Sequence, residues 1–493
     1  MARQEPTAYD SRTDRSFFGH PRPLATLFGV EMWERFSFYG MQGILAIYLY
    51  YSASRGGLGL DEGAATSIVG AYGGMVYLST ILAAWLADRL LGEERVLFFS
   101  AIVIVVGHLS LAVIPGLAGV GVGLVCIALG SGGVKANATS MVGSLYDAGD
   151  PRRDGGFSLF YLGINLGAFL GPLLTGLAQT ELGFHYGFGL AAIGMTIGLV
   201  QYAMGRHRIP AETRVASNPL PRAQYVRWVV VGACIVVVIA GAALAGLLTA
   251  DNLSDVVVWV VLASSVAYFA VILSSRRITS VERSRVVAFI PLFVTSAAFW
   301  ALYQQQFTVV PIYADKQLDR DILGWEMPVS WVNAINPVYI IVLAGVFAAL
   351  WTKLGTRQPS TPLKFAGGAI VMGTGFLLFL PFANAAPSSV PLTSMVVILL
   401  VFTVAELLIS PVGLSASTKL APQAFQTQMV ALFFLSVSLG SALSGTLAKQ
   451  YTRLFDAGQE GRYFGILGAV AIAIGLALAL ISPWVLKQMR GVR

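Results

Sequence analysis

The chain has 493 residues, of which 56% are hydrophobic and only 12% charged, and its formal net charge is +7. Water-soluble domains carry about 25% charged residues, so this composition excludes a soluble enzyme, a secreted module and a nucleic-acid binder. It describes an all-α integral membrane protein whose solvent is the lipid bilayer, because the alternating segments of a transmembrane β-barrel do not occur.

Residues 1–23 (MARQEPTAYDSRTDRSFFGHPRP) are polar and lack the apolar centre of a cleavable signal, so they read as a cytoplasmic N-terminal tail. At about 20 apolar residues per crossing, some fourteen spans follow. They lie near 24–51, 64–87, 95–115, 119–143, 157–180, 185–205, 224–248, 255–275, 285–312, 330–352, 363–381, 391–417, 425–448 and 462–488. Arginine and lysine alternate in density between successive links. One side carries Arg89, Arg95, Arg152, Arg153, Arg206, Arg208, Arg276, Arg277 and Lys419, ending with Lys487, Arg490 and Arg493; the other has Arg55, Lys316, Arg320 and few more. The positive-inside rule then places both termini in the cytoplasm, and the expected location is the inner (plasma) membrane, crossed many times.

The link after the sixth span contains Pro210, Pro219 and Pro221 and several arginines, and the next two spans carry almost no polar side chains. The expected organisation is a six-helix bundle at 24–205, a linker with two accessory transmembrane helices at 206–284, and a second bundle at 285–493. Cys126 and Cys234 both lie in apolar runs, so neither a disulfide framework nor a metal site is expected.

A charge at mid-membrane costs at least about 2.5 kcal/mol, and those that persist usually line a pathway. Here they are Glu31, Glu34 and Arg35 in the first span, Lys135 in the fourth and Glu406 in span 391–417. At i, i+3 and i+4 the first three share a helix face. A self-satisfied ion cluster is the plainest reading of them, yet the five charges together leave one negative charge uncompensated. A proton-binding site, and with it a proton-coupled carrier, is the expectation. Lys135 follows Gly130, Gly132 and Gly133, which allow close helix approach, and needs either a carboxylate or a ligand anion. Asn165 lies about 200° round from the stripe Gly163, Gly167 and Gly171, pointing to a cavity or to an interhelical hydrogen bond. Pro411 falls one turn beyond Glu406, and Asn336 precedes Pro337; broken helices of this kind form binding sites in carriers. Tyr39, Tyr77, Trp300, Tyr303 and Phe433 recur near these positions, although each alone reads as packing. His108 reads as a hydrogen-bonded core histidine.

These residues resemble a known family. EMWERFSFYG, AWLADRLLGEER, the long run GSGGVKANATSMVGSLYDAGDPRRDGGFSLFYLGINLGAFLGP and AELLISPVG are similar to the signatures of the proton-dependent oligopeptide transporters (POT/PTR) of the major facilitator superfamily, in their prokaryotic form. The resemblance implies two six-helix bundles plus an inserted pair, alternating access, and a di- and tripeptide site between the bundles. Arg35 and Lys135 would take the peptide carboxylate, with Tyr39 nearby. Glu406, Asn165 and Asn336 would take its amino end, and Tyr77, Trp300 and Phe433 would line side-chain pockets. Glu31 and Glu34 would be proton-linked acids competing with the peptide for Arg35 and Lys135. No cofactor is implied beyond the proton as coupling ion. Two departures concern the gate: Gln42 in GMQGIL stands where many members have Arg, and Gln304 in FWALYQQQ where many have Glu. A neutral Gln42–Gln304 contact is expected in their place.

The function expected is a proton-coupled symporter importing di- and tripeptides. A relative specialised for another small anionic or conjugated solute, and a non-transporting nutrient sensor, are the alternatives. A membrane enzyme would need a nucleophile–base set or metal ligands; four scattered histidines and the lack of HExxH or GxSxG runs argue against one.

Overall fold

A computed structural model describes residues 14–147 and 150–492. Residues 1–13 of the polar tail, Ala148 and Gly149 of the long signature, and Arg493 lie outside the described residues. In lipid every backbone group must be satisfied within its own segment, and the apolar runs accordingly form long helices. They are α1 (Arg22–Tyr50), α2 (Glu62–Leu86), α3 (Glu93–Val113), α4 (Gly116–Ser144), α5 (Arg153–Leu182), α6 (Phe184–Gly205), α7 (Tyr225–Leu244) and α8 (Leu253–Ser274). The series continues with α9 (Ser280–Tyr303), α10 (Val309–Lys316), α11 (Ile335–Leu354), α12 (Thr361–Leu377), α13 (Leu392–Lys419), α14 (Gln426–Asp456) and α15 (Glu460–Gln488). Thirteen spans among the described residues are long and apolar enough to cross a membrane, α9 and α10 counting as one. Helix α1 is the fourteenth membrane-length helix, set apart from the others by the charges it carries.

The ninth span is longer than its apolar run suggests. It begins with a capping box, in which Thr279 Oγ1 accepts from Glu282 N at 3.2 Å and Glu282 Oε2 accepts from Thr279 N at 2.8 Å. It then breaks into a 3-10 turn at Gln304–Phe307 before resuming as α10. The residue pair Asn336–Pro337 does not interrupt a helix. Pro337 falls in the first turn of α11, after the 3-10 segment Val329–Ala334, where a missing N–H has no intrahelical partner to lose.

The described chain forms two compact units, one comprising the residues up to Met41 with Ser79–Ala242, the other Gln42–Leu78 with the residues from Ala243 onward. In the first, the glycine stripe of α5 lies against α1: a Cβ on Gly163 would strike the Phe28 ring, and one on Gly167 or Gly171 would strike the α1 backbone at Met32 or Phe36. Buried Glu94, at the start of α3, is held by Arg206 at 2.6 and 2.9 Å, with Arg214 at 3.8 Å. Helix α7 has no buried residue, and beyond Arg227 in its first turn it carries no charged side chain.

In the second unit the last turns of α1 and the first half of α2 pack with α8, α10 and α14. A Cβ on Gly70 would lie 2.5 Å from Gly445 Cα, and Ser438 Oγ donates to the Gly74 carbonyl at 2.7 Å. Asp315 on α10 accepts from Tyr50 and Tyr51 hydroxyls at 2.9 and 2.6 Å, and Lys316 pairs with Glu62 at 2.7 Å. Helix α8, one of the two accessory helices, buries Ser254, Val257, Val261, Ser265 and Ile272, and its Asp255 meets Lys449 at 2.8 Å and Thr446 at 2.6 Å.

Candidate functional site

In the first unit the i, i+3, i+4 spacing on α1 brings its three charges together as expected. Arg35 donates from Nη2 and Nε to Glu31 Oε1, at 2.6 and 3.0 Å, and its Nε lies 3.4 Å from Glu34 Oε2. All three side chains are buried. The pairing is unequal: Glu31 Oε2 and both Glu34 oxygens have no hydrogen-bond partner. Buried charged oxygens left in that state are costly, so this cluster has room for a proton or for another donor. Lys135 of α4 sits with its Nζ 4.8 Å from the centre of the Phe38 ring, and Tyr39 packs edge-on against that ring at 5.2 Å. Asn165 is buried on α5, its amide donating to the Tyr161 carbonyl one turn back at 2.9 Å.

In the second unit Glu406 of α13 is half-buried, and among the described residues no cation pairs with it. Its Oε2 accepts from the Tyr303 hydroxyl at 2.6 Å and from Asn336 Nδ2 at 3.5 Å. Asn336 is fixed in turn by donating to Thr403 Oγ1 at 2.9 Å. Tyr303 closes an aromatic group with Phe299 and Trp300, at centroid distances of 5.6 and 5.2 Å, and Trp300 Nε1 is buried without a hydrogen-bond partner. An anion beside aromatic faces, with no cation of its own, suits a small cationic group. Phe433 is buried against Gly413, two residues past Pro411, and Tyr77 of α2 is half-buried.

The expected contact between Gln42 and Gln304 is not formed. Gln304 sits in the 3-10 turn after α9, which directs its Nε2 to Ser441 Oγ of α14 at 2.8 Å, while Gln42 Oε1 is buried with no hydrogen-bond partner. His108 is fully buried, and neither ring nitrogen has a partner, contrary to the hydrogen-bonded histidine expected. Tyr303 and Thr403 are the residues whose importance the sequence understated. The Trp300–Tyr303 spacing of one turn was the available signal for the first, and none existed for the second.

Known proteins resemble this chain over almost its whole length. A family model described as the POT family matches residues 94–463. An uncharacterized transporter of Bacillus subtilis (strain 168) is 40% identical over 485 residues, 97% of each chain. A di-/tripeptide transporter of Lactococcus lactis subsp. cremoris is 40% identical over 498 residues, 98% of this chain and 99% of that one. Among solved structures, a mutant peptide transporter POT in complex with alafosfalin superposes with a TM-score of 0.91 at 42% identity, covering 98% of both chains. Such matches agree with the expected architecture, the all-α major facilitator fold enlarged by an inserted pair of helices.

Proposed function

Because the chain belongs to the POT family, we propose that it is a proton-coupled symporter that imports di- and tripeptides. The observation that carries this reading is the sorting of charge within the apolar helices: Arg35 and Lys135 in one compact unit, and in the other a carboxylate, Glu406, with no cation paired to it among the described residues. A short peptide carries the opposite charges at its two ends. Its carboxylate would take Arg35 and Lys135, beside Tyr39. Its ammonium would take Glu406, with Asn336 and Asn165 as neutral partners and the faces of Trp300 and Tyr303 adding cation–π attraction. The unpartnered Trp300 N–H is available to a peptide carbonyl, and Tyr77 and Phe433 would bound the side-chain pockets. Support also comes from the relatives whose names record peptide transport.

Coupling follows from the same geometry. Arg35 is a fork of five N–H donors already engaged by Glu31. Protonation of Glu31 or Glu34 loosens that hold and releases donors to the incoming carboxylate, so proton and peptide favour one another. Gln42 and Gln304 are neutral at a gate position, which leaves Glu31 and Glu34 to carry the coupling. No cofactor is needed. In this reading, by the positive-inside rule, both termini are cytoplasmic and the protein lies in the inner membrane.

The test is uptake of dialanine by proteoliposomes under an imposed proton gradient, acid outside. Accumulation above the external concentration, abolished by a protonophore, is expected. Absence of accumulation at every imposed gradient would overturn the proposal.

A further inference from the structure

At the end of the first unit where α1 begins and α6 ends, a groove of about 600 Å³ opens between these two helices. Its floor forms where the helices touch: a Cβ on Gly205 would strike the Thr26 side chain, and Gln201 Nε2 donates to the Ala25 carbonyl at 3.2 Å. The outer wall is apolar and open, with Val200 51% and Met204 72% exposed. Two arginines, Arg22 and Arg208, border the groove. Among the described residues neither forms an ion pair, whereas Arg206 and Arg152 on the same face are held by Glu94 and Asp150.

We propose that this groove is a binding site for one anionic phospholipid, its phosphate between Arg22 and Arg208 and an acyl chain along Val200 and Met204. Position, charge and length agree. Arg22 is the first residue of α1 and Arg208 lies three residues past the end of α6, which is headgroup depth for both. At about 1.5 Å per residue, the stretch from Thr196 to Gly205 descends about 14 Å, close to one leaflet of a hydrocarbon core about 30 Å thick. Basic pockets between transmembrane helices are suited to anionic headgroups, and the exposed apolar wall offers an acyl chain a surface that a free phosphate would leave uncovered. The charge asymmetry of the links puts this end of the unit in the cytoplasmic leaflet.

The test is native mass spectrometry of the purified full chain titrated with phosphatidylglycerol, phosphatidylcholine or glycerol phosphate. Wild type is expected to bind one phosphatidylglycerol more tightly than phosphatidylcholine. Losing two surface cations, each worth about 1 kcal/mol towards an anionic lipid, should weaken that binding about thirtyfold in R22Q/R208Q. A charge-matched control, R222Q/R227Q, should bind as wild type does. T196W keeps both arginines but fills the groove, and should also lose the lipid. Three results would overturn the proposal: R22Q/R208Q binding phosphatidylglycerol as wild type does, equal affinity for phosphatidylcholine, or glycerol phosphate displacing the lipid at equal concentration. Since the readout is binding, the result is independent of whether peptide is transported.

Discussion

Glu406 and Tyr303 are best considered together, because the phenol hydroxyl is the shortest contact the carboxylate makes, at 2.6 Å, and also reaches Asn336 Oδ1 at 3.2 Å. Hydrogen bonds to charged groups contribute about 1.5–3 kcal/mol. Tyr303→Phe keeps the ring and its stacking but frees the carboxylate to turn away from the proposed ammonium site. Peptide affinity, read as the KM of dialanine uptake, should weaken between about tenfold and a hundredfold, with little change in thermal stability. An unchanged KM would separate Tyr303 from the site. His108 offers the opposite case. Two buried ring nitrogens without partners carry a desolvation penalty of about 1–3 kcal/mol and return nothing visible. His108→Leu should therefore leave the melting temperature unchanged or raise it, and leave uptake intact; a marked fall in melting temperature would mean that the imidazole is satisfied after all.

At the scale of elements, the last turns of α1 and the first part of α2 belong with the second unit through small residues and polar stitches as well as buried apolar side chains such as Leu45, Val69 and Val76. Gly70 against Gly445 is the tightest of these, with a prospective Cβ 2.5 Å from the opposite Cα. Helix backbones cannot retreat locally, and overpacking costs about 1–3 kcal/mol. Gly70→Ala should lower thermal stability by about that much and slow uptake, while Gly121→Ala, where nothing lies within 4 Å, should do neither. Equal behaviour of the two variants would show that the approach is not tight. Such contacts were illegible in the sequence. Span positions could be read because lipid demands long apolar runs, and the α1 cluster because its three charges share one short helix face. Ser67 meeting Ser254, Gln304 choosing Ser441 over Gln42, and Thr403 bracing Asn336 each join residues 67 to 187 positions apart. No local pattern encodes them. The break after Tyr303 has a local cause that an apolar-run reading passes over: QQQF itself contains neither Gly nor Pro, but Pro311 cannot donate to the Phe307 carbonyl and so falls in the first turn of α10.

For the molecule as a whole, the acids and bases are unevenly satisfied. Arg35 donates from Nε and Nη2 to Glu31, while Glu34, whose charge Lys135 also faces, has the Arg35 Nε at 3.4 Å and no side-chain hydrogen bond. In the proposed cycle the charge of Glu34 is what ties peptide movement to the gradient. Glu34→Gln mimics the protonated form permanently. The variant should still bind peptide, since Arg35 and Lys135 remain, and should still exchange labelled for unlabelled dialanine across a proteoliposome membrane. It should not accumulate dialanine under an acid-outside gradient, because no proton need accompany the substrate on the outward or the return path. Exchange measured beside gradient-driven accumulation separates coupling from binding and from folding. Loss of both activities in a folded, peptide-binding protein would make Glu34 part of the translocation step itself. Retention of both would transfer the coupling role to Glu31, whose Oε2 is the remaining unsatisfied oxygen of the cluster.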